Sequence, residues 1–397
     1  YAGELYPSPC NHGYGKDKRR MIAADMPGTI ELTSIFHYNK NSRVVQEQIK
    51  GIEAMVCNGN RIKLMRLANC LSLQQLADAL SANSVPISRA ALSYYETGKT
   101  VPAEATINVL AKELGTIPAF FYKQDWVDFE LRIFQDLNLI PSRQQELYAF
   151  IQVEMERHLE IDHALGIRSA FEIPVPQKLR ADQHAQIEEF IGGIRAKWGV
   201  GINPISSVCS ILESQGWYLI SSTRQFGSLD IGGYEVSTRI PFLLYHPNYF
   251  VDDFRYSVLQ QVGYFYLQGG DKEETELLVQ RFARGILFSR EQAVLEFGPK
   301  RTKISAKELS MVKQKYGISK RILMIRLHEL GIIDDECYEN FDTHLRQHSF
   351  LKREKAIGDT LHFYEVPTAY DIKALRAQAE GILPEETVEY FMAIQNR

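Results

Sequence analysis

Between residues 59 and 123 the apolar positions recur at helical spacing. From Gly59, the residues Ile62, Met65 and Ala68 fall on one face and Leu71 closes it, which predicts a first helix. Ser72 with Gln75 three residues on is a capping-box pattern and opens a second helix over Leu73–Leu80. Ser88 caps a third, Arg89–Thr97, with Leu92 and Tyr95 inward, and Gly98 ends it where a left-handed residue is needed. A fourth, Ala103–Leu114, follows Pro102 and stops at Gly115.

The pattern then changes. Residues 124–180 read as a charged helical connector, Gln144–Leu165 above all, with a boundary at Pro174 and Pro176. Helices are expected from Ala181 to Trp198 and over Pro204–Gln215. Strand-like runs follow at Trp217–Ser221, Leu229–Val236 and Ile240–His246, then helices Asp252–Gln268 and Glu273–Phe288. The expected class is therefore mainly α with a small α+β part.

Composition adds bounds. A chain of 397 residues holds two or three domains, and 45% apolar with 24% charged residues is the balance of a soluble globular protein. Lys and Arg total 45 against 49 Asp and Glu, a net charge of −4, so a uniformly basic nucleic-acid coat is excluded. No run reaches the roughly 18 apolar residues of a membrane helix, so no membrane partner is expected. Cys10, Cys57, Cys70, Cys209 and Cys337 are odd in number and scattered, without CxxC, so a reduced, cytoplasmic setting is the default. Residues 1–54, rich in Pro and Gly, carry only the short basic cluster Lys16, Lys18, Arg19, Arg20 and no apolar signal core. They read as a flexible lead-in, with Met55 as the candidate start of the folded protein.

The segment RIKLMRLANCLSLQQLADAL…ISRAALSYYETGKTVPAEATINVLAKELG, inside the unit 55–123, resembles the Cro/phage-repressor (Xre) helix-turn-helix family. It departs in a longer turn, SANSVP, and in Leu73 where the family usually has Gln. The resemblance implies binding of double-stranded operator DNA, with the third helix in the major groove. Arg89, Ala90 and Ser93 are then base-facing, with Tyr94, Gln74 and Ser88 beside them and Lys99 on a phosphate. Seven basic residues (Arg61, Lys63, Arg66, Arg89, Lys99, Lys112, Lys123) face four acidic ones (Asp78, Glu96, Glu104, Glu113), which supports that reading. Thr97-Gly98-Lys99-Thr100 imitates the end of a phosphate-binding loop, but Ser93 stands where its first glycine belongs.

The strings RAKWGVGINPISSVCSILESQGWYLI, IPFLLYH and DDFRYSVLQQVGYFYLQGG, followed by QRFARGILF and KISAKELSMVKQKYGISKRILMIRLHELGII, are similar to the ImmA/IrrE metallopeptidase family. This implies a zincin-like domain over 181–290 and a helical C-terminal region over 291–397. The chemistry departs from the family. The HExxH positions, two zinc-binding His and a general-base Glu, fall on Gln260, Gln261 and Tyr264. The position of the family's acidic third ligand lies near QRFA; Glu276 is close but out of register by one common alignment, which puts Leu278 there. A catalytic zinc needs about three protein ligands and a water, so a pseudo-enzyme without metal or other cofactor is expected. The weighed alternatives are a site from Glu276, His246 and a partner, and the pairs His344–His348 and His158–His163. No local signature marks a nucleophilic Ser or Cys.

Two uses for such a domain are weighed equally, a sensor that binds a protein segment or small ligand and a structural or dimerising remnant. Its strand Ile240–His246 lies where related proteases add a substrate peptide as a strand, and such pairing needs no metal. Tyr264, Phe265 and Tyr266 are expected to fill or roof the cleft. The leading expectation is a DNA-binding repressor, homodimeric on a pseudo-palindromic site, whose pseudo-peptidase domain takes a signalling protein or small ligand. The alternatives are an antitoxin that binds a toxin and regulates its own operon, and an active metal-dependent peptidase.

Overall fold

The computed structural model describes residues 56–347 and 365–393, apart from 84, 136, 169–170, 223–225, 227–229 and 247–249. The expected lead-in 1–54, the start at Met55 and His348 lie outside the described residues. The fold is mainly helical with a small mixed sheet, as the patterning implies.

Four short helices come first: α1 (Gly59–Ala68), α2 (Leu73–Ala82), α3 (Arg89–Glu96) and α4 (Glu104–Glu113). Local chemistry sets their ends. The Ser72 hydroxyl accepts from the Gln75 amide at 3.2 Å, while the Ser72 amide donates to Gln75 Oε1 at 2.8 Å. The Ser88 hydroxyl accepts from the Ala91 amide at 3.1 Å, and Gly98 takes φ +69° just beyond α3. Ile62, Leu76, Leu80, Leu92 and Leu110 close the core between these helices. Gly59 starts α1 against the end of α3, where a Cβ would stand 2.1 Å from the Tyr95 carbonyl oxygen.

The stretch 124–180 is more than a helical connector. It contributes β1 (Leu131–Ile133) and β2 (Gln177–Lys178) on either side of one long helix, α5 (Pro141–Ala164). Leu147, Phe150, Ile151 and Met155 of α5 share one core with α1–α4. That core continues onto Tyr218, Ile220, Ile231, Phe242 and Leu244 of the sheet, so packing runs unbroken across positions 123 and 180.

The sheet order is β1-β4-β5-β3, with β3 (Tyr218–Ser221), β4 (Ile231–Glu235) and β5 (Pro241–Tyr245). β4 is antiparallel to both neighbours, and β5 runs parallel to β3. Ile240–His246, expected as the open edge for a peptide, is therefore an inner strand, with Phe242 opposite Gly233 on one side and Tyr218 on the other. Side chains alternate across a strand, so Leu219 and Leu243 turn to the opposite core while Ile220 and Leu244 meet the helical one. Both faces are covered, which explains the nearly continuous apolar runs.

The second core is built by α6 (His184–Lys197), α7 (Val208–Ser214), α8 (Val251–Tyr266) and α9 (Lys272–Leu287). β6 (Leu267–Gln268) follows α8 and pairs in parallel with β2. Helices α10 (Arg290–Phe297), α11 (Ala306–Tyr316), α12 (Lys320–Glu329) and α13 (Asp335–Gln347) extend it. Helices α8 and α9 approach closely at Gly263, where a Cβ would lie 2.9 Å from Val279 Cβ. Helices α14 (Ala369–Ala379) and α15 (Glu385–Ala393) return to α5, where Tyr370, Ala374 and Val388 pack with Ile161. Among the described residues no helix is long and apolar enough to cross a membrane.

Candidate nucleic-acid interface and the substituted face of helix α8

Helix α3 has one buried and one open face. Leu92 and Glu96 turn inward, whereas Arg89, Ala90 and Tyr94 are exposed and Ser93 is half-buried. Inward Glu96 accepts two hydrogen bonds from Arg66, at 2.5 and 2.9 Å, which fixes α3 on α1. Arg66 also donates to the Leu71 carbonyl at 2.6 Å. Just past α3, the Lys99 ammonium lies over the Tyr94 ring, 5.3 Å from its centroid. This aromatic–cation pair extends the open face. Gln74 is exposed but its amide already donates to Asp78 at 2.8 Å, and the Ser88 hydroxyl serves the helix cap.

The charge of this region needs correction. Arg61 is 2% exposed and holds Glu156 of α5 through two bonds of 2.8 Å, with its guanidinium 4.6 Å from the Phe120 ring centroid. Arg66 is spent on Glu96, and Lys123 pairs with Glu160. Three of the seven basic residues thus hold the fold together. Lys63, Arg89, Lys99 and Lys112 remain exposed, against Asp78 and Glu104 exposed and Glu113 half-buried. The net positive charge left at the surface is smaller than the composition implied, with Arg89 on α3 and Lys99 just past it, and Lys63 and Lys112 on α1 and α4.

The second candidate lies on α8. Gln260 and Tyr264, four residues apart, share a half-buried face. Burial, with Glu276 of α9 as a further cause, raises the Tyr264 phenol pKa. Glu276 therefore belongs to this side, while Leu278 is sealed in the core. Gln261 turns to the sheet: it is 6% exposed and stands against Gly232, where a Cβ would be 3.1 Å from Gln261 Cβ. Its Oε1 is buried with no hydrogen-bond partner among the described residues.

Of the alternative metal groupings, His344–His348 falls outside the described side chains. Among the described residues no three His, Cys, Asp or Glu side chains converge. The His246 amide donates to Asp230 at 3.2 Å, and Asp230 also accepts from the Ser257 hydroxyl. His158 lies between the rings of Tyr218 and Tyr370, each 4.5 Å away, and burial with the charges of Lys373 and Arg157 pushes its pKa down to about 3. His163, five residues on, is exposed.

Tyr264, Phe265 and Tyr266 do not fill one cleft. Successive helix residues point about 100° apart, and the three diverge accordingly. Tyr266 stacks on Phe282 at 5.9 Å, Tyr264 faces α9, and Phe265 alone of the three meets the sheet side, 4.5 Å from Trp217. The space beside Phe265 is filled from the flanks of α5, by Phe134 at 4.6 Å and Phe171 at 6.2 Å. Neither was anticipated. The alternation Leu131-Arg132-Ile133-Phe134 was the available signal, masked by the charged helical reading around it. Compared with models of known families, with curated proteins and with solved structures, the chain matches none.

Proposed function

We propose that the chain is a sequence-specific transcriptional regulator of the cytoplasm, a repressor whose helices α1–α4 form a helix-turn-helix of the phage-repressor kind. The observation that carries this reading is α3, capped at Ser88, pinned from behind by Arg66–Glu96, and open at Arg89, Ala90, Tyr94 and the adjoining Lys99. Such a helix presents its first residues to base edges while the neighbouring base holds a phosphate. One module of this size buries little DNA, so a homodimer on a pseudo-palindromic site belongs to the reading.

In this reading the part around α6–α9 is a zincin-like domain that receives a protein segment or small ligand and performs no peptidase chemistry. Gln260, Gln261 and Tyr264 in place of ligands and base support it, since neutral amides and a phenol supply neither the charge nor the general base of a zinc site. Genome-wide recovery of bound DNA followed by gel shifts tests the regulator. Arg89→Ala is expected to cost about 1–3 kcal/mol and relax one base position. Lys99→Ala weakens all sequences alike and reduces the salt slope by about 0.9. Normal operator binding by both variants refutes α3 as the reader.

A further inference from the structure

We propose that the C-terminal hairpin of α14 and α15 is a latch that opens as a unit, with Glu365 as its catch, and that when closed it couples α7 and α8 to helices α1–α4 through α5. Glu365 stands just ahead of α14, and its side chain is 2% exposed. Its carboxylate accepts from Arg255 of α8 at 2.5 Å and from the Ser207 hydroxyl at 3.2 Å. It also accepts from the Val208 and Cys209 amides of α7 at 3.0 and 3.1 Å. In return, Glu213 of α7 accepts from the Thr368 and Ala369 amides at 3.3 and 2.9 Å, which satisfies the first donors of α14. The same helix grips α5. Lys373 donates to Asp162 at 2.6 Å, and the Tyr370 ring lies 4.5 Å from that of His158.

Two features make this a latch rather than part of either main core. Its apolar hold is a separate, thin cluster, in which Ile161 of α5 meets Tyr370, Ala374, Ala377, Leu383 and Val388 of the hairpin. Ile372 and Leu375 of α14 face outward instead. Segments with few buried apolar contacts open below the cost of global unfolding. The catch, by contrast, is electrostatic, and Arg255 is fully buried behind Glu365. Opening returns both charges to water, so weakening this pair favours the open form rather than the unfolded one. Helix α5 gives the opening a consequence. Successive helix residues turn by about 100°. Glu156 and Glu160, which hold Arg61 and Lys123, therefore lie opposite His158, Ile161 and Asp162, which hold the hairpin. One helix carries α1–α4 on one side and the latch on the other. A ligand that binds α7 and α8 better in the open form shifts this two-state element.

Hydrogen exchange of the full chain, read by mass spectrometry, tests the latch. Wild-type amides of α14 and α15 are expected to exchange at least about tenfold faster than those of α8 and α9. Glu365→Gln should raise the latch rates by about tenfold more, with α7 and the end of α5 beyond Glu156 following, while α2 and α9 keep theirs. Lys373→Ala breaks the pair with Asp162 and should give a smaller rise in the same segments, which keeps the test open if Glu365→Gln does not fold. Latch amides that exchange only at the rate of α8 and α9, or variants that raise every segment alike, overturn the latch. The coupling to DNA rests on the regulator reading, and gel shifts test it. Glu365→Gln is expected to change operator affinity by about fivefold or more with exchange of α3 unchanged. Unchanged affinity in a variant whose latch is shown open overturns the coupling. A wild type that binds no DNA refutes the regulator reading and the coupling with it, while exchange still decides the latch.

Discussion

The Arg61–Glu156 pair separates two accounts of one arginine. Counted along the chain, Arg61 is a surface charge available to phosphate. In the fold its side chain is 3% exposed and that of Glu156 10%, joined by two bonds of 2.8 Å, with Gln152 adding a 3.0 Å bond to the same carboxylate. Glu156→Gln keeps the shape but leaves the guanidinium buried without its counter-charge, an event that costs about 3–5 kcal/mol. Against a total stability of about 5–15 kcal/mol this is a large fraction. In urea, with a slope of about 3 kcal/mol per molar, the midpoint should fall by about 1 M or more. Replacing both partners, Arg61→Met with Glu156→Leu, removes the stranded charge and should recover most of the loss. The reasoning is refuted if Glu156→Gln unfolds at the wild-type midpoint, or if Arg61→Met leaves stability intact and lowers the salt slope of DNA binding.

Protonation of His158 gives a pH signature. Its folded pKa of about 3 lies below the ordinary value near 6.5, so below that pH the unfolded chain takes up a proton that the folded one refuses. Stability should therefore fall as pH drops from about 6.5 toward 3, and His158→Phe should flatten the wild-type difference between melts at neutral and mildly acidic pH. Elemental analysis after gel filtration is expected to find no stoichiometric zinc, with folding and DNA binding indifferent to chelator. One tightly held zinc per chain would contradict the pseudo-enzyme reading.

Local rules alone determined the first helices. The box of Ser72 and Gln75, the cap at Ser88 and the turn at Gly98 each involve groups within three or four residues, so the sequence states them and the structure repeats them. The same holds for Leu76, Leu80 and Leu92 on the buried faces, because helical spacing is a property of the chain itself. Tertiary structure decided whatever depends on distant partners. Arg61, Arg66 and Lys123 lost their surface roles to Glu156, Glu96 and Glu160, which no local pattern connects to them. β5 became an inner strand because β3 pairs with it in parallel, and periodicity says which way side chains point but not which strand lies alongside. The departure at α8 was legible only in its substitutions, Gln260, Gln261 and Tyr264. The packing of Phe134 and Phe171 on Phe265 depended on where the two flanks of α5 run, and that is set by the summed packing of two cores rather than by any short stretch of sequence.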